Sequence, residues 1–142
     1  MPASDNPDSG RAAFHILSHG TILALRVGMK PRCYLPGAYY FITRRCTQRQ
    51  FLLLPSRDTV EMFVYALGIA ARFASVNVIG YCVMSNHYHL VVHDPHGTIA
   101  DFTNHLNTQV ARSFNAYWQR GENFWSTDSM CVVELATRAD II

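Results

Sequence analysis

The sequence predicts an α+β domain in which one antiparallel sheet is backed by two helices. Three observations carry this. Four short stretches are dense in β-branched and aromatic residues; two longer ones repeat apolar residues every three or four positions; and the six alternate as β-α-β-β-α-β. That order suits antiparallel strands with both helices crossing on one side of the sheet.

Residues 1–28 form a polar leader containing Pro, Gly and Ser, followed by a mildly apolar segment, and are expected to be largely disordered. Phe14 to Val27 is interrupted by His15, Ser18, His19, Gly20 and Arg26 and follows Asp5 and Asp8, so it makes a poor signal peptide. The domain itself is placed at residues 29–142. Pro36-Gly37 is a turn signal, and Ala38 to Arg44, with Tyr39, Tyr40, Phe41, Ile42 and Thr43, favours a pleated strand. Arg44 and Arg45 lie at its exit, before polar Thr47-Gln48-Arg49-Gln50 and apolar Phe51 to Leu54.

Ser56 can cap a helix whose inward stripe is Val60, Phe63, Val64, Leu67, Ala70, Ala71 and Ala74. Val76 to Met84 and His87 to Asp94 read as a hairpin turning at Ser85-Asn86 and ending at Pro95-His96-Gly97. Thr98 with Asp101 resembles an acidic capping box. It would open a second helix with Ile99, Phe102, Leu106, Val110, Phe114 and Tyr117 on one face and Asn104, Asn107, Gln109, Arg112, Asn115 and Arg120 on the other, stopped by Gly121. Met130 to Val133 suggests the fourth strand, and Thr137 to Asp140 the start of a further helix. The whole is the ferredoxin-like split β-α-β arrangement, which leaves one sheet face open.

At 142 residues the chain has room for one sizeable core, and 49% apolar content argues against disorder. Net charge is +2, yet residues 26–57 hold Arg26, Lys30, Arg32, Arg44, Arg45, Arg49 and Arg57 without an acid. Such a segment can meet phosphates, or can simply be a solvated surface. Cys33, Cys46, Cys82 and Cys131 show no metal-finger spacing and are expected as reduced thiols, Cys82 as a small core residue. No apolar run is long enough for a membrane span, and a cytoplasmic location is expected.

His87-Tyr88-His89 is the candidate site. Alternation puts both imidazoles on one face, roughly 7 Å apart, while Tyr88, Leu90 and Val92 point into the core. Two imidazoles side by side can hold one divalent metal, which could polarise a phosphate; the alternative is a pair of ordinary surface histidines. His93 shares the face about 13 Å further on. Asn86 could orient a ligand or merely make the turn. Phe124 and Trp125 could stack on a base, or pack the core or a sheet edge.

Tyr40-Phe41-Ile42-Thr43-Arg44-Arg45, Gln48-Arg49-Gln50, Gly80 to Val92, Phe114-Asn115, Gly121 and Phe124-Trp125 together resemble the IS200-like tyrosine transposases, most nearly their REP-associated branch. The resemblance covers residues 29–142, and His87-Tyr88-His89 matches the family's histidine–hydrophobic–histidine (HUH) signature. It implies a ferredoxin-like fold, and Mg²⁺ or Mn²⁺ on His87 and His89 with the scissile phosphate as a further ligand. It also implies single-stranded or hairpin DNA as partner and cleavage by a tyrosine that forms a 5′-phosphotyrosine and frees a 3′-OH. Arg44, Arg45, Arg49, Asn86, Arg112 and Arg120 are the DNA-contact candidates. Family members commonly act as dimers, though no stretch here identifies an interface.

The family's nucleophile sits on a helix after the last strand, near an Asn-Pro-Val sequence that this chain lacks. The sequence ends at Ile142, where that helix would begin, so the domain is expected to be C-terminally incomplete and its cleavage impaired. Tyr117 is the substitute to consider, although its register places it in the core. Three functions stand open: a metal-dependent strand-transferring endonuclease, a non-catalytic binder of single-stranded or hairpin DNA, and a domain of this fold with neither role.

Overall fold

The computed structural model describes residues 33–136, and the backbone of two two-residue strands, His15–Ile16 and Ile22–Leu23, that pair antiparallel. The expected leader is otherwise outside the described residues, as is the helix start expected at Thr137. Contacts divide the chain into two compact units, Met1–Cys33 and Tyr34–Ile142, and the four-stranded sheet and both helices belong to the second.

Its elements follow the predicted order: β1 (Ala38–Arg45), α1 (Arg57–Ala74), β2 (Asn77–Met84), β3 (His87–Asp94), α2 (Ile99–Tyr117) and β4 (Cys131–Leu135). The strands lie in the order β2-β3-β1-β4, every pair antiparallel. This is the expected ferredoxin-like α+β fold. Registers place Tyr40 opposite Val92, Ile42 opposite Leu90 and Arg44 opposite Tyr88 on the helix side, and Thr43 opposite His89 and Arg45 opposite His87 on the other.

The core lies between sheet and helices. Tyr40, Ile42, Tyr88, Leu90 and Val92 of the sheet meet Phe63, Leu67 and Ala70 of α1 and Ile99, Phe102, Leu106, Val110 and Phe114 of α2, all buried. Each large side chain fully buried here is worth about 1.5–3 kcal/mol of apolar transfer. Val60 and Val64, expected in α1's inward stripe, stand 42% and 38% exposed. The stripe is instead completed by Thr59 and Ala66, which rotates the buried face away from both valines. Cys82, expected in the core, is exposed. It lies on edge strand β2 opposite His89, and therefore on the face away from the helices.

The helix ends depart from the sequence reading in instructive ways. Ser56 does cap α1, its Oγ accepting from Thr59 N at 3.1 Å. Thr98 makes no side-chain cap bond; its hydroxyl donates to Ala74 O instead. Asp94, wholly buried at the end of β3, takes over. Its Oδ1 accepts from the backbone N–H groups of His96, Gly97 and Thr98, and its Oδ2 from Ile99 N at 2.8 Å. A carboxylate suits a helix N-terminus, where free N–H groups and the dipole both favour negative charge. Gly97 permits this loop, for its φ is +76° and a Cβ there would sit 3.3 Å from Pro36.

At its other end α2 stops at Tyr117, before Gly121. Gln119 adopts φ +52°, Arg120 N donates to Asn115 O and Gln119 N to Ala116 O, a Schellman closure with glutamine in the left-handed seat. Asn107, expected on the polar face, is 5% exposed. Its Oδ1 accepts from Tyr88 Oη at 2.9 Å, and Trp125 Nε1 donates to its backbone carbonyl at 2.8 Å. Tyr117, read as core, is 47% exposed.

Candidate functional site

Strand alternation delivers the histidine pair as expected. His87 and His89 stand on the sheet face away from the helices, ring centroids 4.8 Å apart and rings nearly perpendicular. The hairpin tip that leads into them is clamped by the loop after β1. Cys46 N donates to Asn86 O at 2.7 Å and Leu53 N to Ser85 O at 2.9 Å. Asn86 Nδ2 donates to Arg49 O, and Asn86 Oδ1 pairs with His87 Nδ1 at 2.7 Å. With Oδ1 as acceptor the proton sits on Nδ1, leaving Nε2 of His87 with its lone pair outward. Asn86 thus makes the turn and orients its neighbour, which spends its side chain on the protein.

His89 is held differently. Phe41 stacks on it at 5.4 Å, and its Nδ1 is buried with no hydrogen-bond partner among the described residues. Burial and the adjacent His87 hold its imidazole below the ordinary 6.5, so it is neutral at pH 7. A neutral imidazole with an orphaned ring nitrogen beside a second imidazole fits a cation. Among the described residues no three His, Cys, Asp or Glu side chains converge as a metal cluster.

A cleft of about 390 Å³ opens beside His87, lined by Thr43, Arg45, Asp128, Ser129, Met130 and Cys131. The loop before β4 is docked on the end of β1 to form its wall. Ser126 N and Ser129 Oγ both donate to Arg45 O, at 3.0 and 3.1 Å. Asp128 takes a left-handed φ of +56° within that loop. Thr43, Asp128, Ser129 and Cys131 were missed by the sequence reading. Thr43 was recoverable in principle, because it alternates in phase with Arg45; the loop residues reach the site only through tertiary docking.

The arginines divide. Arg45 is exposed at the cleft and Arg49 is exposed at the clamp beside the hairpin tip, with φ +57°. Arg112 is exposed on α2, in the helix layer. Arg44 falls on the helix side of β1, over the Trp125 ring at 5.5 Å, and burial holds its guanidinium below the ordinary arginine value. Arg120 lies past the end of α2 and is tied to Gln50 at 2.9 Å and Glu122 at 3.2 Å. Arg44 is therefore packed on Trp125, and Arg120 is held by Gln50 and Glu122. Phe124 is buried, and Trp125 meets Tyr88 edge-on at 5.6 Å, as core packing requires.

Tyr117 does not join the pair. It belongs to the helix layer, and its hydroxyl donates to Asp58 Oδ2 at 3.1 Å, which raises its pKa. The chain's seven tyrosines all lie among the described residues. Of these, Tyr39 is on the histidine face, opposite His93 and two rows away from His89.

No family model matches the chain, and no curated protein does. Solved structures do. One is a REP-associated tyrosine transposase bound to a REP hairpin, with TM-score 0.63 at 17% identity, over 81% of this chain and 66% of that one. Another is a candidate transposase from Deinococcus radiodurans R1, with TM-score 0.58 at 24% identity, over 80% of this chain and 92% of that one. This chain thus spans slightly less than two thirds of the hairpin-bound protein's length. Among the described residues no helix is long and apolar enough to cross a membrane. At these identities the likeness establishes architecture: the chain has the fold of these two transposases.

Proposed function

We propose that this domain handles single-stranded or hairpin DNA in transposition, by metal-dependent cleavage and rejoining of the IS200-like type. The observation that carries the reading is the paired His87 and His89 on the open sheet face, with Asn86 fixing one ring, above a cleft that contains Arg45. The fold shared with a transposase that binds a DNA hairpin supports it.

His87 and His89 would hold Mg²⁺ or Mn²⁺, which when bound polarises a phosphate oxygen. Arg45, at the cleft, would receive the phosphate through a planar fork of N–H donors. Phe41, stacked on His89, and Asn86, paired to His87, hold the two rings in place. In the cleavage step a tyrosine hydroxyl loses its proton and attacks phosphorus. The phosphotyrosine ester forms on the 5′ side as the bond to the 3′ oxygen breaks, and that oxygen takes up a proton. A 3′-OH attacking the ester reverses this and rejoins DNA. With no tyrosine of these 142 residues placed beside the pair, the nucleophile has to come from another segment or chain. That absence favours a second reading for the isolated chain, a non-catalytic binder of single-stranded or hairpin DNA.

One experiment separates the two. The purified chain is incubated with Mn²⁺ and a radiolabelled DNA hairpin carrying single-stranded flanks, beside a His87→Ala, His89→Ala variant. A labelled protein band on a denaturing gel, lost in the variant, means cleavage by a tyrosine within these residues. A salt-sensitive gel shift without a band means binding alone. Absence of both the band and the shift would refute both readings.

A further inference from the structure

The site occupies one end of the sheet face; the rest of that face has a composition of its own. Away from His87 along β1 and β3 stand two tiers of rings. Phe41 is stacked with His89 at 5.4 Å, and Tyr39 lies tilted by 31° against His93 at 4.6 Å. All four are partly exposed. The registers show that outward positions across the four strands carry no Asp or Glu: the acids Asp94 and Glu134 pair with Ala38 and Tyr40, in phase with the helix side. The permanent charge on this strand face is Arg45, at the end where the cleft opens. A strand face that is aromatic and free of carboxylate, ending at a cleft where Arg45 and Asp128 both stand, complements flat apolar groups, with Arg45 as the partner for a phosphate.

We infer that this face is a stacking surface for unpaired DNA bases, on which Tyr39 and Phe41 receive successive bases of a strand whose phosphate lies at Arg45. The inference rests on the DNA reading above and adds how the single strand is held. Spacing supports a single strand over a duplex. Alternate residues of a strand are about 6.8 Å apart, roughly twice the 3.4 Å step between stacked base pairs. Bases can meet both tiers only after they are drawn apart. Base–aromatic stacking tolerates any sequence, since every base has a π-face.

The test measures binding by fluorescence anisotropy, with the full chain, no added metal, and salt fixed at about 0.1 M because affinity depends on it. The probes are a labelled hairpin with a single-stranded thymidine flank and the same hairpin with abasic sites in the flank. Proteins are the wild type, Tyr39→Leu and Phe41→Leu, checked by circular dichroism; leucine keeps an apolar group at each position. The abasic flank should bind the wild type roughly tenfold more weakly, the scale of one stacked base. Each leucine variant should lose about as much on the thymidine flank and little on the abasic one.

Equal binding of both flanks by the wild type overturns the inference, needs no variant, and leaves the DNA reading standing. Failure of both hairpins to bind removes the inference and the DNA reading together. A dimer in sizing chromatography that dissociates in the leucine variants would make the face a contact between copies, and would likewise overturn it.

Discussion

Asp94 gives the sharpest quantitative test, because one buried carboxylate joins the strand that carries the histidines to the start of α2. Asp94→Ala strips acceptors from four backbone N–H groups, those of His96, Gly97, Thr98 and Ile99, at 3.2, 3.0, 3.0 and 2.8 Å. Loss of a helix cap costs about 0.5–2 kcal/mol, and each buried donor left unpaired about 1–3 kcal/mol. The first three groups are partly buried and can recruit water; the bond to Ile99 is buried and cannot. The net expectation is about 3–4 kcal/mol. At roughly 3–6 °C per kcal/mol for a domain of somewhat over 100 residues, Tm should fall by about 10 °C or more. Asp94→Asn retains one acceptor oxygen and should lose about half as much. Urea unfolding followed by circular dichroism measures both, with an unchanged denaturant slope showing that the unfolded state is the same. Asp94→Ala within about 0.5 kcal/mol of the wild type would refute the assignment of the α2 cap to this residue.

The Asn86→Ala variant should weaken Mn²⁺ binding by about 10- to 100-fold in calorimetry, because His87 loses the acceptor that fixes its tautomer; unchanged affinity would exclude that role. Gln119→Gly should stabilise the fold by about 1 kcal/mol, since glycine carries no steric penalty in the left-handed seat at φ +52°; chemical unfolding reads it directly. Burial pushes the Cys46 thiol from 9.0 up to about 12. The folded state therefore holds this proton more tightly than the unfolded one. The resulting stability is intact below pH 9 and is lost as pH climbs from 9 towards 12. Cys46→Ala should lower stability at neutral pH through lost packing yet flatten that alkaline decline, which unfolding curves at several pH values would show.

Local sequence rules determined the elements of this protein and the face on which its site lies. Residue alternation is a property of any extended strand, so His87 and His89 had to share a side once Tyr88, Leu90 and Val92 were committed to the core. The helix period likewise placed Phe63, Phe102, Leu106, Val110 and Phe114 inward, and Ser56 capped α1 because that bond spans three residues. Where local rules met a competing partner from elsewhere, they failed. Thr98 gave up its cap to Asp94, whose carboxylate reaches four donors where a hydroxyl would reach one. Asn107 left the polar face because Tyr88 Oη and Thr103 O gave its side chain partners that offset its burial.

The arginines and the cleft show the same limit. Arg44 and Arg45 look alike in sequence, yet strand parity sends the first over Trp125 and the second to the cleft. Which parity faces the helices depends on pairing with β3. Asp128 and Ser129 come within reach of His87 only because Ser126 and Ser129 bond to Arg45 O, some eighty residues back along the chain. Sequence alone determined which residues repeat and which alternate, since those are set by the backbone's own geometry. Tertiary structure alone decided which polar groups are spent inside the fold and which remain at the site, because that depends on partners brought together by packing.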